Sequence, residues 1–544
     1  MQRTGILGTG SVLVALSLGA CGGGSSGTGA PTLYSVGGTI TGLNGSGLSL
    51  ANGADTVTVA ANATSFTMPT SLAANSHYAV QISAQPAGLI CSVQGSAGVV
   101  PQGDVTNVQI NCVVAWTWMG GAQTVNSAAN YGIQGTAAAG NVPGARVGEV
   151  IWSDRMGNLW LFGGRGYDST GAVGLLNDLW TYSQSTQQWT WIGGSETANS
   201  IGIYGTLGGA AAGNVPGARA GAVSWSDGAG NLWLFGGQGY DSLGQSSGDP
   251  HSGNQLNDLW MYNPTTQQWS WMSGSNTILA TEVQGSQGVA APGNVPGARS
   301  GGVSWSDSAG NLWMFGGATS LDTLGYSNEL WMYSPSTGLW TWGGGQNQVA
   351  GVYGTQGIAA AGNIPPARVG MTSWTDHSGN FWVFGGVGVG AELNDLWMFS
   401  PTTQQWTWIS GSQLQKCCTD PIVGIYGTEN IAAATNVPGA RDSSASWTDS
   451  AGNLWLFGGE AASGASTINL FNDLWMFSPT TKQWTWVSGS ATPGAPGSYG
   501  TLGTAAPGNV PGARAGAASW TDEAGNHWLY GGENLGTYSD LWKF

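Results

Sequence analysis

Six arginines recur along the 544-residue chain at intervals of 69 to 80 residues, and they are the side chains best suited to binding an anion. A guanidinium group offers a rigid fork of donors that holds a carboxylate or phosphate through two hydrogen bonds. An acidic residue also follows each arginine by 26 to 39 residues, so six structural ion pairs are the alternative. Regular recurrence favours the ion pairs, because a ligand site usually departs from symmetry. The arginines are Arg146, Arg219, Arg299, Arg368, Arg441 and Arg514, and the acids are Asp178, Asp258, Glu329, Asp395, Asp473 and Asp540.

Two insertions interrupt this regular spacing and supply the second group of candidate binding residues. Asp and His side chains can hold a metal ion, but their spacing here matches no known ligand set, so neither a metal nor any other cofactor is predicted. Adjacent cysteines lie about 3.8 Å apart at Cα, so Cys417 and Cys418 form either a strained disulfide or two free thiols. The candidates are Tyr240, Asp241, Asp249 and His251 in the first insertion and Lys416 and Asp420 in the second.

Two further motifs accompany the arginines. The motif Y-G-T-x-G, or the variant Y-G-I-Q-G at Tyr131 and Y-G-T-E-N at Tyr426, precedes five of them, and Gln284 replaces its tyrosine before the third arginine. Such tyrosines could stack on sugar rings, or they could fix long loops onto the body of the protein. A turn of sequence S/T-D-x-x-G-N follows each arginine, and its aspartate is interpreted as a folding element. The tyrosines are Tyr131, Tyr204, Tyr353, Tyr426 and Tyr499.

Short strands must position these residues. Each repeat contains four apolar runs, called here strands a to d: R-x-G-x-x-S-W, then L-W-L-F-G-G, D-L-W-M-Y and W-T-W or close variants. Long periods built from such runs are typical of propellers or solenoids. The a–b and c–d spacings are constant, whereas the b–c and d–a connections vary in length. In an up-and-down sheet these two connections share one face, which is where loops usually carry function.

The tryptophans predict the number of sheets and how the ends meet. The chain has 30 tryptophans, which six repeats of five account for completely. An isolated W-T-W at Trp116–Trp118 precedes the first strand a, while the last repeat stops at Phe544 after strand c. We therefore expect an all-β, six-bladed β-propeller over residues 114–544, closed by the N-terminal W-T-W as the missing strand d.

The Gly-Gly after strand b and the spaced aromatic residues of strands c and d resemble the kelch motif, as found in the central domain of galactose oxidases. The resemblance implies a kelch-type propeller. The copper site of galactose oxidases needs two histidines, two tyrosines and a Cys–Tyr crosslink near the axis. Here only His251 lies on the variable-loop face, so this copper chemistry is not expected and no catalytic residue is assigned. Six-bladed kelch mutarotases need only a few carboxylates, arginines or histidines.

The N-terminal segment predicts export and lipid anchoring. Residues 1–20 read as a signal peptide, and Leu18-Gly19-Ala20-Cys21 resembles the lipobox of bacterial lipoproteins, which implies acylation of Cys21. Residues 21–30 read as a Gly/Ser tether. Residues 31–113 read as a small β-sandwich that resembles immunoglobulin- or transthyretin-like modules. Cys91 and Cys112 are expected to form a disulfide there.

The number and sign of the charged residues limit the classes of partner that the protein can bind. Only 7% of residues are charged, the formal net charge is −16 and the lysines and arginines form no cluster, so nucleic acid is not an expected partner. Membrane association is expected only through the lipid anchor. The sequence therefore predicts a lipid-anchored module of the bacterial cell envelope that binds a glycan or protein through its variable-loop face. The alternatives are a carbohydrate-active enzyme of mutarotase or oxidase type, or a purely structural envelope protein.

Overall fold

The computed structural model describes residues 31–245, 254–320, 325–413, 422–462 and 467–544. These residues form strands, turns and loops without any helix, as the all-β prediction requires. Small antiparallel sheets of four strands dominate, an arrangement compatible with a β-propeller. None of the described segments forms a helix that could cross a membrane.

Eight of the first ten strands build two four-stranded sheets that share one apolar core, and the other two, β1 and β6, pair with each other. One sheet has the order β5-β2-β10-β8, with β10 parallel to β2, and the other has the order β4-β3-β7-β9. Val36 and Ile110 of the first sheet and Leu50 and Val80 of the second belong to the same buried cluster. The strands are β1 (Leu33–Tyr34), β2 (Val36–Thr41), β3 (Ser49–Asn52), β4 (Asp55–Thr58), β5 (Ser65–Thr67), β6 (Leu72–Ala73), β7 (His77–Ala84), β8 (Leu89–Gln94), β9 (Ala97–Val99) and β10 (Val105–Val114).

The predicted disulfide is confirmed. Cys91 of β8 and Cys112 of β10 lie directly opposite each other in the first sheet and are bonded, with their Cα atoms 3.9 Å apart. Both residues are buried within the shared core. This region also contacts the repeats: Asn44 bonds Asn430 at 3.3 Å, and the Ser46 and Ser450 hydroxyls bond each other.

Repeats 1 to 5 each contribute strands a, b, c and d to one antiparallel sheet, and repeat 6 contributes strands a, b and c. The a strands are Val150–Ser153, Val223–Ser226, Val303–Ser306, Thr372–Thr375, Ala445–Thr448 and Ala518–Thr521. The b strands are Leu159–Phe162, Leu232–Gly239, Leu312–Phe315, Phe381–Phe384, Leu454–Phe457 and His527–Tyr530. The c strands are Leu179–Ser183, Gln255–Asn263, Leu330–Ser334, Leu396–Ser400, Leu474–Ser478 and Leu541–Lys543. The d strands of repeats 1 to 5 are Gln188–Gly193, Gln268–Ser273, Leu339–Gly344, Gln405–Ser410 and Gln483–Ser488.

The N-terminal W-T-W completes the sixth sheet. The strand Thr117–Gly120 pairs with Leu541–Lys543, so that Trp118 lies opposite Trp542. The same partners, second d tryptophan and c tryptophan, face each other in the other repeats, for example Trp191 and Trp180. The N-terminal segment therefore occupies the position of strand d in the last sheet, as the tryptophan pattern predicts.

Neighbouring sheets pack through aromatic side chains because strand b is covered on both faces. All four residues of the first b strand are buried, which explains its uninterrupted apolar sequence. Trp160 of this strand packs on Tyr262 of the next repeat, with ring centroids 5.5 Å apart. Trp528 of repeat 6 makes the equivalent contact with Tyr182 of repeat 1 at 5.8 Å. The same aromatic contact therefore links repeat 1 to repeat 2 and repeat 6 to repeat 1.

A chain of backbone hydrogen bonds joins the repeats where strand a begins. In repeats 2 to 6, the second residue after the arginine donates its N–H to its counterpart in the preceding repeat, as Gly221 does to the carbonyl of Gly148 at 2.8 Å. These residues have a positive φ, +65° at Gly221, which glycine adopts without the strain of a side chain. Ser443 takes the position in repeat 5 with a φ of 55°. We call these six residues the glycine ring: Gly148, Gly221, Gly301, Gly370, Ser443 and Gly516.

The long d–a connections have a structural role of their own. Part of each connection lies along the outer edge of strand d in the sheet that follows it. Ala138 pairs with Trp189 in this way, and Asn141 donates to the Trp189 carbonyl at 3.1 Å. An uncovered strand edge is a template for aggregation, so covering it protects the protein. Connections also form short strands: Arg146–Val147, Arg165–Tyr167, Val173–Leu175, Ala210–Ala211, Arg219–Ala220, Ala318–Ser320, Gly325–Tyr326, Arg368–Val369, Val387–Gly388, Ala391–Glu392, Glu460–Ala462 and Ile468–Leu470.

Removing the N-terminal strand is predicted to destabilise the sixth sheet. Deleting residues 115–119 exposes the edge of Leu541–Lys543 and removes Trp116, which is 1% exposed. Loss of a buried tryptophan typically costs about 3 to 5 kcal/mol of unfolding free energy. We expect a lower unfolding temperature and concentration-dependent association by light scattering. The control Thr117→Ser reproduces the W-S-W of repeat 2 and should unfold like the wild type. Unchanged unfolding of the deletion variant would contradict this role.

Candidate functional site

Each repeated arginine is buried in a pair with the acid that precedes strand c. In repeat 2, the Nη1 and Nη2 atoms of Arg219 donate to the two carboxylate oxygens of Asp258 at 2.7 and 2.8 Å. The remaining donors of Arg219 reach the carbonyls of Gly236 and Gly217, both at 2.9 Å. Equivalent ion pairs of 2.5 to 2.7 Å occur in the other five repeats. The ion-pair interpretation of the six arginines is therefore confirmed.

The same carboxylate also binds the tyrosine of Y-G-T-x-G and the tryptophan of strand c. The Tyr204 hydroxyl donates to Asp258 at 2.6 Å, and the Trp260 indole donates to it at 2.7 Å. Burial, together with the Asp258 charge, raises the pKa of Tyr204, so its hydroxyl stays a donor. The tyrosines thus fix the d–a connections to the sheets. We call the arginine, acid, tyrosine and tryptophan of one repeat the arginine unit.

Repeat 3 keeps the arginine unit with two exchanged side chains. Gln284 stands in place of the tyrosine, and Glu329 stands in place of the aspartate. The amide of Gln284 donates to Glu329 at 2.5 Å, and Arg299 reaches the same carboxylate at 2.5 Å. A second acid, Glu282, lies 3.9 Å from Arg299, and its pKa is raised by burial and by the charge of Glu329. Glu329 is longer than the aspartate of the other repeats, and Gln284 is shorter than their tyrosine. The two exchanges therefore preserve the hydrogen bond between these positions.

The ion pairs leave the arginines inaccessible. Their exposure is at most 2%. Anion binding by these residues, which the sequence also predicts, would require breaking a buried ion pair in each case. The turn aspartates are equally engaged: Asp227 accepts from the backbone N–H of Ala229 and Asn231 and from the indole of Trp233, all within 2.9 Å. They are folding elements, as expected.

Asp241 is a turn residue as well, although it opens an insertion. Its carboxylate is fully buried and accepts from the backbone N–H of Leu243 and Gln245 at 2.8 and 2.9 Å. Asp168 of repeat 1 caps the same turn, and the shared sequence G-Y-D-S already signalled this equivalence. Tyr240 is partly buried beside it. The other predicted residues, Asp249, His251, Lys416, Asp420 and the predicted acylation site Cys21, lie outside the described residues, as do Cys417 and Cys418.

The repeats differ from one another beside the glycine ring. The residue after each arginine pairs, through two backbone hydrogen bonds, with the residue after Gly-Gly. The six pairs are Val147–Arg165, Ala220–Gln238, Ser300–Ala318, Val369–Val387, Asp442–Glu460 and Ala515–Glu533. In repeat 5 both members are acidic, and opposed like charges destabilise a sheet unless something compensates them. Sequence reasoning missed this pair because it compared the common residues of the repeats and not their differences.

Carboxylates from three consecutive repeats converge at this position. We call Glu392, Asp442, Glu460 and Glu533 the acidic cluster. Asp442 is 8% exposed and accepts from the Ser443 hydroxyl at 2.6 Å, while the Ala462 N–H donates to Glu392 at 2.5 Å. Burial and the charge of Glu460 raise the pKa of Asp442 well above its ordinary value. Burial, Glu533 and Glu392 together raise the pKa of Glu460 to about 7.

Counter-charges are missing from the acidic cluster within the described part of the chain. None of the ion pairs between described residues involves its four carboxylates. In the same part of the chain, no group of three or more histidine, cysteine or acidic side chains has the geometry of a metal site. The cluster therefore resembles an acceptor surface or a proton-sharing pair more than a metal centre.

Comparisons with known proteins do not assign this chain. No protein-family model matches it, and no curated protein resembles it significantly. The arrangement of its own residues is thus the basis for any functional proposal.

Breaking one arginine unit is predicted to destabilise the whole protein. Arg219→Ala leaves the buried Asp258 without its ion-pair partner, which typically costs about 3 to 5 kcal/mol. The exposed Arg155 provides the matched control, and Arg155→Ala should change the unfolding free energy by less than about 0.5 kcal/mol. Urea denaturation of both variants measures the difference. Equal stability of Arg219→Ala and the wild type would show that the ion pair is dispensable.

Proposed function

We propose that the protein is a lipid-anchored binding module of the bacterial cell envelope that recognises a glycan through the acidic cluster. The observation that carries this proposal is the convergence of four carboxylates from repeats 4, 5 and 6 on a scaffold whose repeated charges are otherwise paired internally. They lie where strand b leads into the b–c connections, the side of the sheets on which the repeats differ most in length.

The proposed scaffold is a closed, six-bladed propeller of kelch type. Its support is the cyclic order of aromatic contacts, with Trp528 of the last repeat on Tyr182 of the first, and the pairing of Trp118 with Trp542. The Gly-Gly that follows every strand b supports the kelch assignment. A rigid ring of this kind holds side chains from different blades in fixed relative positions, as a binding site requires.

The chemistry of the acidic cluster favours a ligand rich in hydrogen-bond donors. Ionised carboxylates are acceptors only, and a protonated partner adds one donor. The hydroxyl and amino groups of a neutral or amino-bearing glycan match this set. A strongly anionic ligand does not, because the chain carries a formal net charge of −16. Acylation at Cys21, followed by the Gly/Ser tether, would keep the module at a membrane surface close to envelope glycans.

A second candidate function is acid–base catalysis on a sugar, as in kelch mutarotases. The observation that favours it is the direct opposition of buried Asp442 and partly buried Glu460, whose pKa values are both raised. Such a pair can hold one proton between its members, so that one acts as the acid and the other as the base. A group with a pKa of about 7 is suited to moving protons at neutral pH.

Glycan-array screening followed by calorimetric titration tests the proposal. Each lost hydrogen bond to a charged acceptor is worth about 1.5 to 3 kcal/mol, so Asp442→Asn and Glu460→Gln should weaken binding about 10- to 100-fold. The control Val387→Ala changes the equivalent ladder position of repeat 4 and should bind like the wild type. Retained affinity in both carboxylate variants, or no glycan bound by the wild type, would refute glycan recognition. Anomer exchange measured by NMR, if abolished by Glu460→Gln, would instead favour the enzyme.

A further inference from the structure

A single acidic residue interrupts a column of small or apolar residues at the start of strand a. The third residue after the repeated arginine is Glu149 in repeat 1. The equivalent residues of repeats 2 to 6 are Ala222, Gly302, Met371, Ser444 and Ala517. None of these five is charged, so the position itself requires no carboxylate for folding.

The Glu149 carboxyl group lies at the junction between the last and first repeats. A Cβ atom built on Gly531 of repeat 6 would be 3.1 Å from its Oε1 atom. Met371 occupies the same position in repeat 4, where its methyl group lies against Gly316 of the preceding repeat. Although Glu149 as a whole is partly exposed, both of its carboxylate oxygens are buried and have no hydrogen-bond partner.

The charged and titratable groups around Glu149 offer it no counter-ion. Arg146 precedes it, Asp178 lies before strand c of the same sheet, and Tyr530 belongs to strand b of repeat 6. Arg146 donates to both oxygens of Asp178 and to the carbonyls of Gly144 and Gly163, so these two charges already compensate each other. The Tyr530 hydroxyl donates to the carbonyl of Pro143 at 2.8 Å. An ionised Glu149 would therefore be a buried charge favoured only by its own backbone N–H and by an Arg146 that is already paired, and burial outweighs both.

We propose that Glu149 is a protonation-controlled latch: its neutral form allows repeats 6 and 1 to pack together, and its ionised form loosens this junction. A buried carboxylate without a partner carries a large desolvation penalty, whereas the protonated acid does not. The other junctions lack a titratable residue at this position, so the effect is local. This inference does not depend on the proposed glycan binding.

The direction of the pH dependence follows from the burial. Burial raises the pKa of Glu149 from its ordinary value of 4.5 to about 8. Between these two values the folded protein keeps a proton that the unfolded chain releases, so stability falls as pH rises. One linked proton changes the unfolding equilibrium constant about tenfold per pH unit. Asp442, Glu392 and Glu460 also have raised pKa values, so only a comparison with variants isolates Glu149.

Urea unfolding of the full chain between pH 5 and pH 8 tests the latch. In the wild type, Glu149 should contribute a rise of about tenfold in the unfolding equilibrium constant per pH unit. Glu149→Gln, or Glu149→Ala as in repeat 2, should remove this contribution and so flatten the dependence of stability on pH. The exposed Glu196 provides the control, and Glu196→Gln should leave the profile unchanged. Parallel profiles for the wild type and both Glu149 variants would overturn the proposal.

Hydrogen exchange in the wild type provides a second test that needs no variant. The N–H of Gly532 donates to the carbonyl of Arg146 across the proposed latch, and the N–H of Gly237 donates to that of Arg299 at the equivalent bond between repeats 2 and 3. After correction for intrinsic base catalysis, the exchange of Gly532 should accelerate relative to that of Gly237 as pH rises through about 8. A constant ratio would show that Glu149 does not control the junction.

Discussion

The ion pair between each repeated arginine and its acid, which is bidentate in every repeat except the third, is the interaction on which the rest of the structure depends. One guanidinium group joins the start of strand a, the Gly-Gly after strand b and the start of strand c, as Arg219 does through Gly217, Gly236 and Asp258. The tyrosine and the tryptophan that donate to the same carboxylate attach the d–a connection and the indole of strand c to this ion pair. Removing charges from water is costly, and full use of donors and acceptors is what makes such a buried pair tolerable. Glycine-rich connections with few apolar side chains are held in place by this polar centre.

Because most of the few charged residues serve folding, the remaining ones indicate where a functional site can lie. Only 7% of the residues are charged, and the repeated arginines, their acids and the turn aspartates are all engaged in folding. The departures from the repeat are therefore informative. Asp442 and Glu460 face each other where repeat 4 carries Val369 and Val387, and Glu149 stands where the other repeats have small or apolar residues. A scaffold that is internally satisfied in this way can vary these positions without losing its folding interactions.

Much of the fold could be predicted from the sequence because the same strand, turn and ion-pair residues recur in six repeats. The match of Trp118 with Trp542 followed from counting tryptophans, and the pairing of Arg219 with Asp258 followed from their recurrence. The sequence predicts Asp241 as a binding residue, and the structure places it in a turn that Asp168 caps in the same way in repeat 1. The opposition of Asp442 and Glu460 depends on strand register, and the parallel pairing of β2 with β10 depends on tertiary packing. Neither can be read from local patterns.

Exchange of the indole N–H protons of the strand c tryptophans tests the central role of the arginine unit most directly. In all six repeats this N–H donates to the carboxylate that the arginine holds, at 2.7 to 3.1 Å. If these units hold the repeats together, these protons should exchange only when the whole protein unfolds. The opening free energy derived from their NMR exchange rates should then equal the free energy of global unfolding. The second tryptophan of strand d, such as Trp191, bonds only the carbonyl of Gly193 and should exchange through smaller openings. Strand c indoles that exchange as readily as Trp191 would contradict the account.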